Sequence, residues 1–123
     1  MANKLMWALA GYYLITGLYI SILPLVFYET APGVAATGPY NMHFLRDVGF
    51  AFTVSALGLG YGLWLKLKPL IVFGTAWLAI HGAFHLVLWF LQEHPASPTA
   101  LIDLVLVVLP AAGLSYLAAR YRT

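Results

Sequence analysis

Four long apolar stretches constrain this chain more than anything else in it. They run over roughly Leu5–Phe27, Met42–Leu65, Leu70–Leu91 and Thr99–Ala119. A helix needs about 20 mainly apolar residues to cross a hydrocarbon core of about 30 Å, and each stretch meets that length. Together they take up most of the 123 residues, which leaves no room for a separate soluble domain. With 63% apolar and 8% charged residues, the composition departs from that of ordinary globular domains, which are nearer half apolar and a quarter charged. The expected fold is all-α. It is a polytopic membrane protein with four transmembrane helices in a single bundle, one domain over residues 1–123. The bilayer is its expected surrounding, and nucleic acid is not an expected partner.

Lys4 before an apolar run raises the question of a signal peptide. A signal's apolar region is about 7–15 residues long and ends at a small-residue cleavage site. This run is longer and ends in Pro24, Val26, Phe27 and Tyr28, so it reads as a retained first helix. The absence of cysteine excludes disulfides, thiolate metal ligands, iron–sulfur clusters and Cys-attached haem.

The breaks between stretches carry turn chemistry. YETAPGVAATGPYN (Tyr28–Asn41) is the longest, KLKP (Lys66–Pro69) is a tight turn, and EHPASP (Glu93–Pro98) is the third. Pro69 and Pro98 suit the first positions of helices, where a missing N–H costs nothing. Asn41 and Ser97 suit N-caps. Lys4, Lys66, Lys68, Arg120 and Arg122 all fall on one side of a four-span arrangement, and only Arg46 falls on the other. The positive-inside rule then puts both termini in the cytoplasm, in a multi-pass inner (cytoplasmic) membrane protein. Tyr28, Tyr40 and Trp89 would mark the outer interface; Trp7, Trp64, Tyr116 and Tyr121 would mark the inner one.

Small residues indicate where helices approach, since lipid supplies no hydrophobic force to drive them together. Gly58 and Gly62 have GxxxG spacing in the second span and are the expected helix-packing glycines, within one chain rather than between two. The first span also has Gly11 and Gly17, the third Gly74 and Gly82, and the fourth Ala112 and Gly113. Pro110 should bend the fourth helix and free the carbonyl of Leu106.

In this orientation every acid and histidine lies toward the extracytoplasmic side. Glu29, Glu93 and His94 fall in loops. His43 and Asp47 open the second span as an i, i+4 pair, His81 and His85 form another in the third, and Asp103 opens the fourth. Residues so spaced share a helical face. Should those faces meet, Asp47 and His85 would sit at one level with Asp103 near them. Ionisable groups inside a span usually face the interior, find a partner and mark a functional position.

Imidazoles and a carboxylate suit copper, zinc or iron, so His81, His85, Asp47, His43 and Asp103 form the candidate metal set. Arg46 is a candidate contact for a ligand or a lipid headgroup. HxxxH without the glutamate of HExxH is not a protease signature, and no second HxxxH or ExxH supports a carboxylate-bridged dimetal centre. Haem b is the runner-up, since His43 or His94 could oppose His85 as axial ligands, though two histidines on one face cannot hold one haem. A proton path through the membrane is not expected, because no ionisable series continues to the cytoplasmic half. The bland alternative is that the polar cluster only fixes helix packing, in an accessory or scaffold subunit of a larger membrane complex or a homo-oligomer.

A first helix ending in a Pro-containing segment, a Gly/Pro loop, an Arg-x-x-Gly start to the second helix (Arg46, Asp47, Val48, Gly49) and two further helices resemble the DoxX-like small membrane proteins. That resemblance implies a four-helix membrane fold of bacterial or archaeal type, with some members tied to quinone-linked sulfur oxidation or respiratory complexes. HGAFH (His81–His85) lies outside that pattern. The functional expectation is a transition metal or small ligand bound in the outer half and serving a membrane redox process. A ligand set is not a reaction, so no catalytic residue is assigned.

Overall fold

The computed structural model describes residues 2–91 and 97–122. The elements run α1 (Ala2–Ile22), α2 (Pro24–Thr30), a 3-10 turn (Val34–Thr37), α3 (Met42–Leu65), α4 (Lys68–Leu91) and α5 (Pro98–Ala119). No strand occurs among the described residues. α1, α3, α4 and α5 are each long and apolar enough to cross a membrane. The outer surface fits that reading: Phe73 is 78% exposed, Leu91 74% and Phe90 71%. A soluble monomer rarely presents so continuous an apolar surface. The protein is a multi-pass four-helix membrane bundle.

The ends of these helices are set by local chemistry. The first apolar stretch does not continue as one helix to Phe27. It breaks at Leu23 (φ −122°, ψ 54°), because Pro24 disfavours the α conformation in the residue before it. Pro24 then starts α2, where its missing N–H costs nothing. Helix also reaches into the expected loop as far as Thr30. Asn41 caps α3 by accepting from Phe44 N at 3.0 Å, and Ser97 caps α5 by accepting from Ala100 N at 3.2 Å. α3 ends at Lys66, whose left-handed φ of 56° turns the chain back so that Leu67 N reaches Gly62 O at 2.9 Å. α4 starts one residue before Pro69, at Lys68.

α3 packs against α1 and α4, and α4 packs against α5, with a slighter contact between α1 and α5. The approach of α1 to α3 is close. A Cβ placed on Gly17 would lie 2.6 Å from Thr53 N, and one on Gly49 would lie 2.7 Å from Ser21 N. Gly62 meets α4 in the same way, at 2.7 Å from Ile71 N. Gly58 faces Gly74 with more space: its Cβ would sit 3.5 Å from Gly74 Cα, an ordinary contact, whereas one on Gly74 would lie 2.8 Å from Gly58 C. Both GxxxG glycines thus sit on the α3–α4 interface, and Gly62 is the tighter. Gly82 closes α4 onto Ala111 of α5, while Gly11 and Gly113 face open space.

α5 contains a π-helical stretch, Leu104–Val108, in which Leu109 N bonds Leu104 O. Pro110 lies just beyond it and supplies no N–H. The carbonyl of Leu106 is taken up from outside the helix: Tyr12 of α1 donates its hydroxyl to it at 2.6 Å. At the same end as the α3–α4 turn, Lys68 Nζ donates to Ala119 O at 2.9 Å. A cation thereby meets the unsatisfied C-terminal carbonyls of α5, which a helix dipole favours.

Candidate functional site

His85 and Asp103 meet because α4 and α5 run antiparallel and place them at one depth. His85 lies six residues before the end of α4 and Asp103 five after the start of α5. At 1.5 Å per residue both sit about 8–9 Å below the helix ends. Their side chains form a direct pair, His85 Nδ1 to Asp103 Oδ1 at 2.7 Å, with 25% and 24% of each exposed. A carboxylate only accepts, so Nδ1 carries the proton and donates it. That fixes the ring, and in a neutral imidazole Nε2 is then the nitrogen with the lone pair, the arrangement carboxylates give to histidines that bind metals.

His81 lies one turn deeper on α4, its ring centroid 4.5 Å from that of His85. It stacks on Trp77 at 4.9 Å and 12° and meets the edge of Phe52 of α3 at 5.1 Å and 80°. Phe52 in turn stacks with Tyr13 of α1 at 5.9 Å. A continuous line therefore runs from Tyr13 through Phe52, His81 and His85 to Asp103, across all four spans. Tyr13 is 3% exposed, and its hydroxyl has no hydrogen-bond partner among the described residues.

The second expected pair does not join this line. His43 Nε2 approaches Asp47 Oδ2 at 3.4 Å, but the two side chains are 91% and 60% exposed. The physical reason is helical phase. Phe52 points α3 toward α4, and Asp47, five residues earlier at about 100° each, is turned about 140° away. The five-residue candidate set thus divides into His81, His85 and Asp103 on one side and His43 with Asp47 on the other. No three His, Asp or Glu side chains among the described residues form a group that could hold a metal ion. Arg46 is exposed, and no ion pair includes it among the described residues. Glu93 and His94 lie outside the described residues, so the axial pairing of His94 with His85 does too. His43 is exposed on the face of α3 turned from α4, which does not set it opposite His85.

Two contributors escape the sequence reading. Trp77 flanks His81, a neighbour that its i, i+4 spacing could have indicated. Phe52 carries no chemical signal and is found only through the contact of α3 with α4. No family model, curated protein or solved structure matches this chain.

Proposed function

We propose that the outer half of the bundle is a ligand site in which His85, oriented by Asp103, presents Nε2 to a transition metal or to a small ligand that needs an imidazole base. The observation that carries this reading is the 2.7 Å His85–Asp103 pair between α4 and α5. His81 supplies a second imidazole within one helical turn, and copper, zinc or iron are the metals such nitrogen donors suit. His43 and Asp47 stand outside this smaller site. Haem b would take His85 as a single axial ligand, since no described histidine is opposed to it. The positive-inside rule puts both termini on the cytoplasmic side of an inner membrane, with the site toward the exterior. The resemblance to DoxX-like proteins extends the reading to service in a membrane redox process.

A second reading has its own support. With two imidazoles and one carboxylate that does not join them in a coordinating group, the dyad also suits a clamp that fixes α4 to α5. In that case the protein is an accessory or scaffold subunit of a larger membrane complex or a homo-oligomer. Metal analysis of protein purified without chelator, with its absorption spectrum, separates the two. The ligand reading expects near-stoichiometric metal, or a Soret band if the group is haem, lost in His85→Ala and reduced in Asp103→Asn. A protein without metal or chromophore, with both variants altering only stability, supports the clamp.

A further inference from the structure

A second feature lies at the opposite end of the bundle from His85 and Asp103. Toward the basic end, α1 and α3 flank a groove of about 400 Å³, lined by Trp7, Gly11 and Leu14 of α1 and by Gly60, Tyr61 and Trp64 of α3. Its depth comes from missing side chains: a Cβ on Gly11 would meet nothing within 4 Å, and one on Gly60 would meet only Trp7, at 3.5 Å. The lining is almost wholly apolar, and Trp7 and Trp64 are 49% and 71% exposed. Tyr61 and Trp64 lie beside each other at 5.8 Å on one wall, with Trp7 on the other.

Two lysines lie close in the chain to residues that line the groove. Lys4, Trp7, Gly11 and Leu14 follow one another at i, i+3, i+7 and i+10, so Lys4 continues the stripe of α1 that forms the wall. Lys66 caps α3 two residues beyond Trp64. No acid lies among the residues of this end, from Ala2 to Gly11 or from Gly60 to Leu70. We propose that this groove binds one acyl chain of an anionic phospholipid from the adjoining leaflet, its phosphate held by Lys4 and Lys66. Basic sites beside transmembrane helices recognise anionic headgroups in this way, and tryptophan and tyrosine suit the interface where chain meets headgroup.

A second copy of the chain is the competing occupant of an apolar groove rich in small residues. The charges favour lipid. A two-fold dimer through this groove would bring the Lys4 and Lys66 of both copies together in one leaflet with no acid to offset them.

The test is native mass spectrometry of the full chain released from nanodiscs made of equal parts phosphatidylglycerol and phosphatidylcholine. We expect retained phosphatidylglycerol in preference to phosphatidylcholine. Lys4→Gln should reduce that preference about fivefold, the effect of about one basic residue near a charged surface. Gly11→Phe, whose Cβ would meet nothing within 4 Å, puts a ring into the groove and should reduce retention of both lipids, with the melting temperature in detergent unchanged. Equal retention of the two lipids, or retention unaffected by Gly11→Phe, overturns the proposal. So does a dimer that Gly11→Phe dissociates, which would give the groove to a second copy.

Discussion

At the residue scale, the two histidine–aspartate pairs are chemically alike and physically different. His43–Asp47 is solvent-facing at a helix start, and His85–Asp103 is three-quarters enclosed between two helices. Exposed ion pairs contribute little, because water competes for both partners. An enclosed pair leaves an unsatisfied group behind when one partner is removed. A double-mutant cycle on His85→Ala and Asp103→Asn, read by thermal unfolding in detergent, should therefore show coupling within the usual range of about 0.5–3 kcal/mol for groups in contact. The same cycle on His43→Ala and Asp47→Asn should be additive. Tyr12→Phe is a second residue-scale case. It removes the hydroxyl that Leu106 O accepts from across the helix interface. The expected loss is about 0.6 kcal/mol, the average for hydrogen bonds between membrane helices.

At the element scale, helix approach is governed by which glycines touch backbone. Gly17→Ala and Gly49→Ala should each destabilise by roughly 1–3 kcal/mol, the range for overpacking a close contact, because the added carbon would meet Thr53 or Ser21 backbone at 2.6–2.7 Å. Gly113→Ala should be neutral or should stabilise by up to about 1 kcal/mol, since it only raises helix propensity and meets nothing within 4 Å. Melting temperatures of the variants in one detergent check the ordering. Equal values for Gly49→Ala and Gly113→Ala would contradict the close α1–α3 crossing.

Much of this scale was legible in the chain itself. Hydropathy gives the four spans, and capping chemistry gives Asn41 and Ser97. Pro110 pointed to the free carbonyl that Tyr12 reaches. Hydropathy over-extends the first helix because the apolar run continues past Leu23, while the backbone sterics at Pro24 do not follow hydropathy. Depth alone sets His85 level with Asp47 and Asp103 merely near them, whereas the structure pairs His85 with Asp103. Both lie at suitable depth, and only the rotation of α3 about its axis, fixed by the packing of Phe52, turns Asp47 away. Gly49 was visible as part of Arg-x-x-Gly, but its role at the α1 crossing depends on the meeting of Gly17 and Ser21 with α3.

At the scale of the whole molecule, two chemically distinct ends follow from one distribution of charge. Lys4, Lys66, Lys68, Arg120 and Arg122 collect at the end where α3 turns into α4, and the His/Asp layer lies at the other. The bond from Lys68 to Ala119 ties the end of α5 to the start of α4. For this membrane bundle, the positive-inside rule predicts that the basic end lies in the cytoplasm and the His/Asp layer toward the exterior. The chain has no cysteine, so single cysteines report directly on sidedness. Ala35 and Lys66 are exposed at opposite ends. In intact cells, a membrane-impermeant maleimide should label Ala35→Cys at once and Lys66→Cys only after permeabilisation. Labelling of Lys66→Cys in intact cells with Ala35→Cys protected would reverse the orientation, and labelling of both would contradict a bundle that spans the bilayer.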